Sequence, residues 1–138
     1  MLELVDISKI TAIAEHSLKV TVEAADDAMT QAIESPIYDW PNVTIRRNGQ
    51  VVGSPRNIVD TRYFIESQYV IPISQSEWEI GWMAEYADEI HEGVGNNPAR
   101  PWTEQAIKGD GTAPPRYQQP TAILNVPRKF AHEFTRRL

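Results

Sequence analysis

The densest group of side chains able to hold a metal or move a proton is Asp88-Glu89-Ile90-His91-Glu92. A helical metal site places its ligands four residues apart on one face, a spacing that Asp88 and Glu92 satisfy. His91 has Ala87 and Gly95 at that spacing, so it finds no ligand partner there, and the run reads as a solvated acidic helix face. His16, His91 and His132 are scattered, and no serine stands in an elbow context, so nucleophilic catalysis finds no support. Gly109-Asp110-Gly111 matches the start of a calcium loop but lacks the later ligands, and it reads as a turn. Arg46, Arg47 and Arg56 could touch phosphate, but bases around a hairpin also form a solvated edge that blocks unwanted strand pairing. No catalytic, cofactor or metal site is expected.

Composition narrows the class without naming it. A chain of 138 residues is one domain's worth, long enough for a hydrophobic core without staples. With 41% hydrophobic and 23% charged residues it falls in the ordinary globular range. The absence of cysteine excludes disulfides and thiolate sites and suits a reducing cytoplasm. No apolar run approaches a membrane span, and Met1 to Asp6 lacks the basic flank and apolar stretch of a signal peptide. A formal charge of −6 argues against tight non-specific binding to nucleic acid.

The elements that would position any site follow from periodicity. From Asp6 to Glu34, Ile7, Ile10, Ala14, Leu18, Val22, Ala25, Met29 and Ile33 recur at steps of three and four, predicting a long helix with Asp6 as its cap. Pro36 disfavours helix at Ser35. About 29 residues give a rod of roughly 43 Å, whereas a chain of this size has a radius of gyration of about 14 Å. One end is therefore expected to project unless a neighbour covers it.

Val43–Arg46 and Gln50–Val52 flank Arg47-Asn48-Gly49, a hairpin signal. Asp60 or Thr61 is placed to cap a short helix through Gln68. A second strand pair runs from Tyr69 to Ser74, with Pro72 at an edge or bulge, and over Glu77 to Trp82, where Trp78, Ile80 and Trp82 share one face. Ala84 to Glu92 reads as helix, with Gly93 set to end it in a left-handed conformation. Beyond it the chain is loop-rich, with Trp102 to Ile107 a short element and a last helix starting at Pro127. The fold expected is α+β: a long N-terminal helix, two β-hairpins forming a small antiparallel sheet, short helices and a C-terminal helix. Residues 1–138 make one domain, with a loop-rich extension from about residue 108.

The order of these pieces resembles the neck or tail-completion proteins of tailed bacteriophages, which join the DNA-filled head to the tail. In that family a long helix leads into a hairpin, then a Thr-Gly-x-Leu-x-x-Ser-like helix, a strand pair, a Tyr-Ala-x-x-x-x-x-Gly-like helix and an Arg-Pro-Trp-like segment. Thr61 and Ser67 fall in the first neighbourhood, Tyr86, Ala87 and Gly93 match the second, and Pro98 to Trp102 match the last. The resemblance covers roughly Asp6 to Ile107. It departs where Arg62, Tyr63 and Phe64 replace the glycine and leucine-like residue, because Arg lacks glycine's tolerance of positive φ.

The resemblance implies a structural virion protein, synthesised in the host cytoplasm, that forms a ring, most simply a hexamer. It would contact other neck, connector or tail-tube proteins, and genome DNA would pass through without tight binding. Interface candidates are Ile7, Ile10, Leu18, Met29, Arg46, Arg47, Tyr86, Arg100 and Trp102, with ordinary core packing the alternative for Tyr86 and Trp102. Glu77 and Glu79, or Glu89 and Glu92, are candidates to face the channel. A competing reading is a small binding or regulatory module acting as a dimer through the aromatic strand face, and a third is an enzyme whose site has no recognisable signature.

Overall fold

The computed structural model describes residues 6–35, 44–45, 49, 51–52, 62–93, 100–107 and 122–138. Its elements are α1 (Ile7–Ile33), β1 (Thr44–Ile45), β2 (Val51–Val52), α2 (Tyr63–Glu66), β3 (Gln68–Ser74), β4 (Glu77–Trp82), α3 (Ala87–Glu92), α4 (Trp102–Ile107) and α5 (Val126–Thr135). The class is α+β as expected, and each hairpin is its own two-stranded antiparallel sheet among the described residues. No helix among those residues is long and apolar enough to cross a membrane.

Asp6 caps α1 as its sequence context requires, accepting the Lys9 N–H at 3.1 Å. At 27 residues the helix is about 40 Å long. Its buried stripe differs from the one that periodicity marked. Ser17, Thr21, Ala25, Ala28 and Ala32 turn inward, while Leu18 and Val22 are only half-buried and Ile7 is 70% exposed. Small side chains dominate the inner stripe of the helix that packs against α4 and α5, and Ala25, Met29 and Ile33 are buried in it as the periodicity marked them. Thr21 satisfies its buried hydroxyl by donating to the Ser17 carbonyl at 2.7 Å.

The short helix α2 starts differently from expectation. Asp60 and Thr61, the expected caps, lie outside the described residues. Arg62 stands before the first helical residue at φ 68 and ψ −10 and makes no side-chain cap. That is the left-handed region, which an arginine rarely adopts. The helix also ends early, because Gln68 already belongs to β3.

In the second hairpin, Pro72 faces Trp78 and the register shifts between Pro72 and Ser74, the bulge that a proline without an N–H favours. Trp78, Ile80 and Trp82 are the half-buried set, with Glu77 and Glu79 exposed. Opposite Gly81 sits Tyr69, whose ring lies so close that a Cβ there would be 2.8 Å from its Cε1. α3 is shorter than expected, and its terminating Gly93 has φ 82 but ψ 152. That is an extended, positive-φ conformation rather than the left-handed helical one, and it too suits glycine.

Pro127 is the second helical residue of α5, not the first, and Asn125 is the cap, accepting the Arg128 N–H at 3.0 Å. The core gathers Ala28, Met29, Ala32 and Ile33 of α1 with Phe64, Ile65, Ala84, Trp102 and Ala106. Phe64 and Trp102 meet edge-on at 4.9 Å, and Trp82 meets Trp102 edge-on at 5.2 Å. This core lies against the C-terminal half of α1, and α5 packs along the same helix.

Candidate functional site

The hairpin is tied to α1 at its base. Trp82 Nε1 donates to Gln68 Oε1 at 3.1 Å, and the Gln68 amide donates to the Asp26 carbonyl at 3.1 Å and to its carboxylate. From this anchor the strands run alongside the helix, and their tip faces Ala12, Glu15, His16 and Lys19 across a groove of about 670 Å³. Pro72, Ile73 and Trp78 supply its apolar wall. Ile71 and Ile73 are exposed on the same strand, Ile73 by 54%. Ile7 stands free on the helix, with Ile10 half-buried one turn on. Exposed apolar side chains thus occur near the far half of α1, and Tyr63, Met83 and Leu138 are exposed elsewhere.

A second cluster lies where α3 meets α4. His91 Nδ1 is 2.6 Å from Glu92 Oε1, and His91 Nε2 is 2.6 Å from Thr103 Oγ1. A carboxylate only accepts, so the neutral ring carries its proton on Nδ1 and takes the Thr103 hydroxyl hydrogen at Nε2. The imidazole stands edge-on to Trp102 at 4.8 Å beside an opening of about 300 Å³. The order of groups is that of a proton relay, but its carboxylate is largely in water, with the Glu92 side chain 76% exposed. Its clear physical effect is to fasten α3 to α4, together with the Arg100 N–H that donates to the Ile90 carbonyl at 3.0 Å. Among the described residues no group of three or more His, Asp or Glu side chains is arranged to hold a metal.

The third cluster is on α5. Glu133 is buried, and Lys129 at 3.0 Å, Arg136 at 3.0 Å and Arg137 all converge on its carboxylate. Hydrogen bonds from Arg137, then Lys129 and Arg136, hold its pKa down at about 2. Glu133 is not among the residues marked from the sequence. The signal was present, since bases at −4, +3 and +4 from one acid share a helical face.

The residues marked from sequence divide sharply. Met29 lies in the chain's own core, which corrects its assignment to an interface, and Trp102, 1% exposed, takes the core-packing reading. Arg100 is also buried. Ile7 is open, Ile10 and Leu18 are half-covered on α1, and Tyr86 keeps about a third of its surface beside Tyr63 at 6.0 Å. Arg46, Arg47 and Gly109-Asp110-Gly111 lie outside the described residues. No family model, curated protein or solved structure matches this chain.

Proposed function

We propose that this chain is a structural virion subunit of a phage neck, assembling with copies of itself into a ring, sixfold in its simplest form, that joins the head connector to the tail. The observation that carries the proposal is α1. Its C-terminal half completes the core, while its N-terminal half carries exposed Ile7 and half-buried Ile10 and Leu18 beside a hairpin with two exposed isoleucines. A helix of about 40 Å with that distribution gains most when a neighbouring subunit covers its far end. Exposed Glu77 and Glu79 suit a channel wall that lets DNA slide, because acidic groups repel phosphate.

Light scattering after size exclusion, with negative-stain imaging, tests the reading directly. The expected species is a closed particle several times the 15.6 kDa of one chain. Ile7→Glu is expected to leave the melting temperature unchanged and to shift the particle to monomer. A stable monomer at high concentration would overturn the ring, and a discrete dimer would favour the binding-module reading. Tight duplex retention on filters at low salt would overturn the passive channel.

A further inference from the structure

The chain is acidic overall, yet its charge is segregated. From Glu77 to Glu92 there are six acidic side chains and no Lys or Arg. From Val126 to Leu138 there are four bases and one acid, and that acid is the buried Glu133. Among the described residues every ion pair of α5 stays within α5. Three cations share the single Glu133 carboxylate, so the cluster keeps surplus positive charge, and Arg128 adds to it from an exposed position. Gathering like charges on one helix is unfavourable unless anions compensate them. Glu133 also preorganises them, since the Arg137 guanidinium bonds both its carboxylate and its carbonyl, the latter at 2.8 Å.

We infer that the basic face of α5 docks on the acidic α3 face of a second copy, head to tail. This deepens the ring proposal and rests on it. The acceptors are Glu85, Asp88, Glu89 and Glu92, all exposed. Two different surfaces of one chain that fit each other make a heterologous contact, the kind that closes into a ring when the rotation permits. A second copy matches better than a nucleic acid. A duplex laid along α5 would also meet the field of a body carrying −6, which acts over about a Debye length of 10 Å at 0.1 M salt. The α3 face of a second copy instead presents localised acid groups to the basic helix.

Complementary charge exchange in the full chain decides the matter. Arg128→Glu with Arg136→Gln reverses and removes charge on α5, and Glu85→Lys with Glu89→Lys reverses the α3 face. These residues are exposed, and circular dichroism melts check that both variants fold. Each variant alone should self-associate about tenfold or more weakly than the parent, and an equimolar mixture should recover mixed assemblies. Wild-type assembly should weaken between 0.1 and about 1 M salt, where the Debye length falls to about 3 Å. Variants that assemble like the parent, or a mixture that stays dissociated, would overturn this contact while leaving the ring intact. A monomeric parent would overturn both. Loss of duplex binding in the α5 variant with self-assembly unchanged would assign the face to nucleic acid and overturn the inference. Should the α5 pair fail to fold, Arg128→Glu alone, which touches no part of the Glu133 cluster, carries the same comparison.

Discussion

Arg62 is the one described non-glycine residue with positive φ, and replacing it with glycine measures what that geometry costs. A left-handed conformation costs an L-residue about 1–2 kcal/mol. Glycine removes that strain but adds about 0.5–1 kcal/mol of unfolded-chain entropy. The Arg62–Glu66 pair, 3.7 Å apart with both side chains more than 60% exposed, contributes at most about 0.5 kcal/mol. The balance puts Arg62→Gly between about 0.5 kcal/mol less stable and about 1.5 kcal/mol more stable. Arg62→Val supplies the contrast, because a β-branched residue tolerates positive φ worst. It should be less stable than the glycine variant by about 2 kcal/mol. Urea unfolding followed by circular dichroism, with equal slopes for all three proteins, reads these differences as midpoint shifts. Equal stability of the glycine and valine variants would refute the left-handed assignment. A loss of more than about 1 kcal/mol in Arg62→Gly would show that the arginine side chain contributes more than an exposed pair can.

Trp102→Ala should lose about 3–5 kcal/mol, since it empties the centre of the aromatic cluster, and calorimetry should show a fall in Tm of 10 °C or more. Tyr86→Ala, at a partly exposed position, should shift Tm far less. Glu133 has a folded pKa of about 2 against an ordinary 4.5, so its contribution to stability is complete above about pH 4.5 and is lost as pH falls through about 2. Melts of the parent and Glu133→Gln should therefore differ at neutral pH and converge near pH 2, and a constant gap would refute the charge cluster. Gly81→Ala should push the Tyr69 ring off its strand partner. The Tyr69 pKa, raised first by its hydrogen bond to Glu79 at 3.0 Å, should then return towards 10 in an ultraviolet titration, and an unchanged value would refute the close approach.

Local rules made much of the architecture legible. The Asp6 cap, the bulge at Pro72 and the face shared by Trp78, Ile80 and Trp82 each depend on residues close in sequence, so spacing was enough to find them. The failures share a cause in tertiary packing. Periodicity weighs side chains by hydrophobicity and so marked Leu18 and Val22, but the inward stripe favours small residues and took Ser17 and Thr21 instead. Trp102 was open to a core or an interface reading from the sequence, and Phe64, Trp82 and His91 around it place it in the core. The His91–Thr103 bond joins two helices through residues 12 apart in sequence, and no spacing rule reaches that far.

These two kinds of residue sort the molecule into a part that completes itself and a part that does not. Around Trp102 and the C-terminal half of α1, apolar surface is enclosed, and the hairpin base is fastened through Gln68 to Asp26. Towards the N-terminal end of α1 the same helix carries Ile7 into solvent, and the hairpin beside it exposes Ile71 and Ile73. A two-stranded sheet is marginal by itself, and a helix end without packing frays. Both should therefore become more ordered when covered. Hydrogen exchange of the amides in α1 and β3 should consequently slow on assembly, while those around Trp102 are already protected in the monomer. Uniform protection before assembly would mean that the far half of α1 needs no neighbour, which would overturn the ring.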